Sequence, residues 1–404
     1  MNALLQPRKT QSVSSDKLDA RIVILNNYLR PHHVHVYREI ARRVGKLTIL
    51  LSTTMESDRS WQPEWADLDV RVQKSWTWTA RWKSKQGYES PNHIHFPIDT
   101  IRQLRSLKPD VVFSYEFGAR TLLCGNWRML NRRSRLVVVG NMSQHVERER
   151  GRGRRLLRSV IRRIGDRFTY NGPGCKEYLT EIGIPKNRMH FFPYYFDEEK
   201  VFTGPRKWSR DGVVRMVYAG VIEPRKGAVC LLEVLRRWKQ SHPAKRLELT
   251  VCGSGELESD FRALAGDNLA IKLPGELNSA QLRDVYSRSD LCVFPSLADE
   301  WGLVPIEAMG SGVPVLGSQL AQSVETLIEE GKNGWSFWPA DHDGFYQVFE
   351  RAVDAAPEQI AEMGKAARKS VEHITATRAA VAFCEIARQC VQEVRSKSRA
   401  GIAP

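Results

Sequence analysis

Two glutamates seven positions apart, Glu300 and Glu307, stand in the segment PSLADEWGLVPIEAMGSGVPVLGS (295–318), which reads as strand, turn, short helix, strand. Gly302 permits the tight turn, Pro305 suits a helix's first turn, and Gly310 or Gly312 suits its end. The backbone amides of Gly302, Leu303 and Val304 then open a helix, where N–H groups and the macrodipole attract a diphosphate. Seven residues at the helical rise span roughly 10 Å, so the two carboxylates can straddle such a group. Carboxylates accept hydrogen bonds from vicinal hydroxyls, which suits one acid to a sugar and the other to a ribose. Taken in isolation, the same pair also reads as a solvated helix start whose acids the macrodipole favours.

A cation stands upstream. In VYAGVIEPRKG (217–227) Lys226 precedes Gly227 in the turn between a strand and a helix. An ammonium there can neutralise a leaving phosphate without donating a proton. Arg225 lies beside it, and the plain alternative is that both are an ordinary basic helix start. Gly253 follows another strand in VCGSGEL (251–257) and lets backbone approach a ligand closely. Glu258 occupies the place of the third glycine of a dinucleotide fingerprint, which disfavours NAD.

These stretches, with LPGELNSAQLRDVYSRSDLCVFPS (273–296) and the Glu300–Glu307 block, run in an order and spacing over about 110 residues. In that order and spacing the chain resembles the retaining nucleotide-sugar glycosyltransferases of family 4, with their E-x(7)-E motif. The resemblance implies an α/β fold of the GT-B kind: two Rossmann-like doubly wound domains with a cleft between them and a C-terminal helix crossing back to the first. It implies that Glu307 binds a ribose, that the amides of Gly302, Leu303 and Val304 bind the diphosphate, and that Glu300 contacts the transferred sugar. Lys226 matches the family's phosphate-binding lysine. The family usually has an arginine five residues earlier; here that position is Val221, which leaves Arg225 to substitute from a different angle. The donor is a nucleotide diphosphate sugar, with no further cofactor and no metal. Transfer with retention then goes to a hydroxyl of a lipid-linked or glycan acceptor in polysaccharide biosynthesis.

The acceptor side is less legible. His145, five residues past RLVVVG (135–140), lies where the family often has a histidine facing the donor sugar; an imidazole there can bond a sugar hydroxyl and shield developing positive charge. A surface-loop histidine is the alternative. Glu116, after DVVFSY (110–115), is a further candidate, for aligning the acceptor. His32, His33 and His35 form one short cluster without a carboxylate, thin support for a metal.

The elements that must position these residues follow from periodicity. RIVILN, KLTILLS, DVVFSY and RLVVVG alternate with helical patterns, and a second cycle begins with VVRMVYAG (213–220). Strand, helix, strand repeated in this way means a parallel sheet wrapped by helices. The expected organisation is a disordered lead at 1–20, an acceptor-binding domain at 21–197, a polar linker at 198–211, a nucleotide-sugar-binding domain at 212–375, and a closing helix and tail at 376–404. Ligands of open α/β sheets collect at the carboxyl ends of strands, where all the candidates above fall.

Lysine and arginine outnumber acids 61 to 46, so the surface should attract polyanions, phosphorylated ligands or anionic lipid. The run RERGRGRRLLRSVIRRIGDR (148–167) carries nine arginines and apolar residues at helical spacing, suiting a basic amphipathic helix on an anionic membrane, with a core-packed helix as the alternative. Tryptophans at 61, 65, 76, 78 and 82 suit both membrane interfaces and sugar faces. Without an apolar run long enough for a span or a secretory signal, the expected location is the cytoplasm, peripheral on the inner face of the membrane. Seven scattered cysteines with no C-x-x-C pair fit reduced thiols. A nucleic-acid-binding protein finds no motif to support it. A catalytically silent partner of the same fold and a nucleotide-sugar epimerase are the other competing readings.

Overall fold

A computed structural model of the chain describes residues 17–56, 64–148, 151–196, 198–206, 208 and 211–399. Residues 1–16 of the expected lead, Trp61 and Arg150 of the arginine run, and parts of the 198–211 stretch lie outside them. The chain divides into two compact units. One holds Phe196–His373 with Lys83–Glu89; the other holds the described residues up to Trp82, Ser90–Tyr195 and Ile374 onward.

The N-terminal unit carries strands β1 (Leu18–Asn26), β2 (Val44–Leu51), β3 (Val70–Val72), β4 (Ser75–Lys83), β5 (Glu89–Pro97), β6 (Val111–Ser114), β7 (Arg135–Val139), β8 (Arg167–Tyr170) and β9 (Met189–Phe191). Seven form a parallel sheet ordered β3-β2-β1-β6-β7-β8-β9, while β4 and β5 make a separate two-stranded sheet. β1 starts at Leu18, three residues earlier than the apolar run suggests. The β6 sequence VVFS is buried at every position, as strands covered on both faces must be.

The helix Ala376–Arg399 belongs to this unit and packs against the helix Pro31–Arg43, β1 and β6. Its Ala379, Phe383, Ala387 and Cys390 recur at helical spacing and are all buried. Phe383 stacks on Phe113 of β6 with ring centroids 3.7 Å apart.

The C-terminal unit contains β10 (Val213–Ala219), β11 (Arg246–Cys252), β12 (Leu269–Gly275), β13 (Leu291–Phe294), β14 (Val315–Ser318) and β15 (Gly334–Phe337), all parallel in the order β12-β11-β10-β13-β14-β15. The order reverses between β10 and β13, and the crevice at such a switch point is where doubly wound sheets take ligands. Its core joins Met216, Leu249, Val251 and Val293 to Leu231, Leu235, Trp238 and Phe349 from the covering helices.

The arginine run is not one helix. The helix Gln144–Arg148 ends before the helix Arg152–Ile164 begins. Several of its cations are already engaged: Arg148 with Glu177 and Glu181, Arg154 and Arg158 with Glu147, and Arg167 with Glu393. Arg158 is buried. The reason is local supply, since acids spaced along neighbouring elements meet the guanidinium groups that sequence alone shows as a solvated face. All seven cysteines are free, and six are buried. Among the described residues no helix is long and apolar enough to cross a membrane.

Truncating the Phe383 ring empties a stacked site in the N-terminal core. Phe383→Ala is expected to cost about 3–5 kcal/mol in chemical denaturation.

Candidate active site

The C-terminal ends of β10, β11 and β13 are drawn together by glycines that no other residue can replace. After β10, Gly220 has φ 135 and Gly227 has φ 73. A Cβ on Gly227 would lie 1.9 Å from the Pro295 carbonyl oxygen, so the turn carrying Lys226 is pressed against the end of β13. A Cβ on Gly253 would lie 2.0 Å from the Gly220 oxygen, and the Ile222 amide donates to the Ser254 carbonyl. Here Gly253 serves backbone-to-backbone closeness between two strand-end loops.

Lys226 ends the short 3₁₀ turn Pro224–Lys226 and its Nζ donates to Asp299 Oδ2 at 2.6 Å. The Ser296 hydroxyl donates to the same oxygen at 3.0 Å. Both charged side chains are less than one-fifth exposed. Burial pulls the Lys226 ammonium below the usual lysine value, against the attraction of Asp299. Burial alone would raise the Asp299 carboxyl, but the Lys226 ammonium and then the Arg225 guanidinium bring it below the ordinary carboxylate range. Arg225 bonds Glu223 at 2.6 Å and the Ala298 carbonyl, framing the same pocket wall. Val221, at the position of the absent arginine, is 40% exposed and its carbonyl accepts from the Tyr218 hydroxyl.

Glu300 and Glu307 diverge in environment. Glu300 is exposed, and its carbonyl accepts from Gln322. Glu307 lies in the helix Val304–Gly310, 2% exposed, with Lys200 Nζ 3.5 Å away. The Tyr286 hydroxyl faces it, and burial followed by the Glu307 charge raises that phenol well above its usual value. Gly302 takes φ 90, and the amides of Ile306 and Glu307 close the first helical turn onto the Leu303 carbonyl, leaving Gly302, Leu303 and Val304 ahead of it.

The structure thus gathers Lys226, Arg225, Gly253 and the 299–304 turn, and sequence reasoning missed Asp299, Ser296, Tyr286 and Lys200. A signal for Asp299 was present. Six residues separate Glu300 from Glu307, whereas seven separate Asp299 from Glu307, the interval of the two-acid motif. Lys200 gave no comparable signal, lying in the polar stretch read as a linker.

In the N-terminal unit, Gly140 leads from β7 to the helix Gln144–Arg148, where His145 is half-buried. Glu116 accepts from the Arg120 amide at 2.9 Å and pairs with its guanidinium at 3.1 Å, which sets its carboxylate at the start of the helix Ala119–Leu130, two residues ahead of the N-cap Gly118. His32 and His33 are buried; His33 accepts at Nδ1 from the Arg30 amide and stacks on Tyr37. Burial, then Arg30, holds its pKa well below 6.5. Among the described residues no cluster of three or more His, Cys, Asp or Glu is arranged for a metal ion.

Residues 206–370 match the family model described as Glycosyl transferases group 1. The match lies within the C-terminal unit, and the chain as a whole has the GT-B fold of its structural neighbours. Anabaena HepE in complex with UDP superposes with a TM-score of 0.67 at 14% identity, over 91% of this chain and 100% of that one. The apo lipopolysaccharide outer core galactosyltransferase WaaB gives 0.66 at 13% identity, over 90% and 98%. In sequence, the glycogen synthase of Mycobacterium tuberculosis is 27% identical over 201 residues, 49% of this chain and 45% of that protein. A D-inositol 3-phosphate glycosyltransferase of Pseudarthrobacter chlorophenolicus is 24% identical over 307 residues, 69% and 71%. The chain spans about half the length of the first curated relatives it matches.

The lowered Asp299 value has a consequence for stability against pH. An acid whose folded value lies below its unfolded one contributes stability above the ordinary carboxylate range and loses it as pH falls through the lowered value. Lys226→Met removes the main lowering cause and leaves burial opposed only by Arg225 and the Ser296 hydroxyl. Its melting-temperature deficit against wild type should be largest near neutral pH and narrow toward acid, where Asp299 is protonated in both proteins.

Proposed function

We propose that this protein is a retaining glycosyltransferase of family 4 type that moves a sugar from a nucleotide diphosphate donor to an acceptor hydroxyl. The observation that carries the reading is the Lys226–Asp299–Ser296 cluster at the switch point of a sheet that belongs to glycosyl transferases group 1. Lys226 stabilises the charge that grows on the leaving phosphate, and Asp299 holds it in place. Between the two acids of the turn, Asp299 has the stronger case as the sugar-side partner, because its carboxylate faces into the cluster. Glu307 is the ribose acceptor, with Lys200 its partner before the donor arrives. The amides of Gly302, Leu303 and Val304 take the diphosphate.

Retention follows when the acceptor hydroxyl attacks from the face the phosphate leaves. The departing phosphate oxygen takes the hydroxyl proton, so no separate nucleophile and base are required, and the step needs positioning and charge stabilisation rather than a metal. His145 is proposed to meet the donor sugar. The acceptor is a lipid-linked or glycan intermediate handled at the inner face of the cytoplasmic membrane, which the basic composition supports. A catalytically silent protein of the same fold draws its one support from Val221 in place of the usual arginine.

The purified protein should gain several degrees of thermal stability with one class among UDP-, GDP-, ADP- and dTDP-sugars, by mass action on the folded state. HepE structures hold UDP and UDP-glucose, which makes UDP-sugars the first to screen. No shift with any class overturns the donor reading, and binding without turnover on any acceptor favours the silent one.

Kinetics separate the residues. Lys226→Ala is expected to lower turnover by about 10²–10³. Asp299→Asn should lower turnover far more than Glu300→Gln, while Glu307→Gln should weaken donor affinity about tenfold or more through loss of a charged acceptor. The reverse ranking of Asp299 and Glu300 returns the sugar-side role to Glu300.

A further inference from the structure

We propose that the aromatic face of the β4–β5 sheet docks onto an anionic lipid surface. Strand alternation puts Trp76 and Trp78 on one face of β4, with Ile94 and Phe96 of β5. Trp76 is 72% and Trp78 73% exposed, with Ile94 at 44% and Phe96 at 42%. The opposite face is tied down within its own unit. The Thr77 hydroxyl pairs with His95 Nδ1 and the Thr79 hydroxyl with His93 Nδ1, both at 2.9 Å, and His95 Nε2 reaches Glu56 at 3.2 Å. Two tryptophans exposed to water beside further apolar side chains form a patch of the kind that marks an interaction site.

Charge decides the occupant. Lys74, Arg81, Lys83 and Lys85 on or beside the two strands are exposed, against Glu89 as the one acid between Val72 and Ile98. Tryptophan rings settle at the boundary between headgroups and acyl chains, and lysine or arginine stems reach from there to anionic headgroups. Alternation sets Lys74 on the tryptophan side and Arg81 and Lys83 with the threonines, so the two strands together carry a cationic excess beside the indole rings that complements an anionic bilayer.

Placement gives the contact a purpose. β4 leaves the carboxyl end of β3, where the Gln73 amide donates to the Leu51 carbonyl at the end of β2. In a parallel sheet this is the edge that also carries the loops after β6 and β7, with Glu116 and His145. The aromatic face thus brings lipid to the edge assigned to the acceptor. The inference rests on the proposed membrane-surface acceptor and names the element and the lipid charge that serve it. It shifts the main contact from the arginines of 148–167, four of which are ion-paired, to the tryptophan strands.

The full chain should float with vesicles of phosphatidylcholine and phosphatidylglycerol in equal parts, fail to float with phosphatidylcholine alone, and release as salt rises. Trp76→Ser with Trp78→Ser should weaken partition at least about tenfold, given the apolar area removed. Lys74→Glu should weaken it about fivefold or more. Trp76→Phe with Trp78→Phe should keep most of the binding while losing the fluorescence quenching caused by brominated acyl chains. Circular dichroism and any nucleotide-sugar thermal shift should be unchanged in these variants. Unaltered partition of the serine variant overturns the proposal. So does a wild-type dimer that the serine variant dissociates, which assigns the face to a second copy. Vesicle binding lost on tryptophan substitution in a protein that responds to no nucleotide sugar sinks the transferase reading and leaves the docking surface standing.

Discussion

The ion pair between Lys226 and Asp299 holds together the carboxyl ends of β10 and β13 in the C-terminal unit. Each charge is largely withdrawn from water, and withdrawal is costly unless the partner and a further hydrogen bond offset it. Ser296 supplies that bond at 3.0 Å. The pair fastens the loop after β10 to the turn after β13, and the Leu297 amide donating to the Arg225 carbonyl adds a second tie between them. Removing one partner leaves a buried charge uncompensated, which makes this place costly to disturb. The glycines serve the same closeness, because a side chain on Gly227 would enter the Pro295 carbonyl.

Much of the basic excess is spent inside the C-terminal unit as well as on surfaces. Arg368 donates to the carbonyls of Gly310, Ser311 and Phe202, satisfying the end of the Val304–Gly310 helix where orphan carbonyls collect. Arg206 donates to the Tyr286 and Ser311 carbonyls and stacks over Trp208; burial pulls its pKa down to about 10. The stretch through Phe202 and Arg206 is thereby fastened to the end of the helix that carries Glu307, and Lys200 arrives beside that carboxylate. A polar stretch with Gly204 and Pro205 reads as a linker because its composition is that of a loop, yet guanidinium forks give a loop fixed partners.

Strands β1, β2, β6, β7, β10, β11, β13 and β14 and their alternation with helices were legible, since strands covered on both faces must be near-continuous apolar runs, as in VVFS and LCVF; the short strands β3, β8, β9, β12 and β15 and the β4–β5 sheet were not read. Lys226 and Glu307 were legible through motif spacing. Asp299 was within reach of the same count, one position from the acid that was chosen. Glu116 was readable only as an acid after a strand; its bond to the first turn of the helix Ala119–Leu130 depends on where the Arg120 amide points. The arginine run shows the common failure: its helical spacing is real, but the break between Arg148 and Arg152 and the acids at Glu147, Glu177 and Glu181 come from elements that linear pattern does not bring together.

The amino-acid sequence by itself determined the class of fold, the places of the strand-end turns and the residue types able to handle a diphosphate, because these depend on local periodicity and on glycine's freedom at positive φ. Tertiary structure decided which acid meets Lys226, that Lys200 and Tyr286 surround Glu307, and which tryptophans face water, with Trp76 and Trp78 exposed on β4. Those outcomes depend on partners distant in the chain and on how far each group is withdrawn from water, and neither quantity is carried by any short stretch of residues.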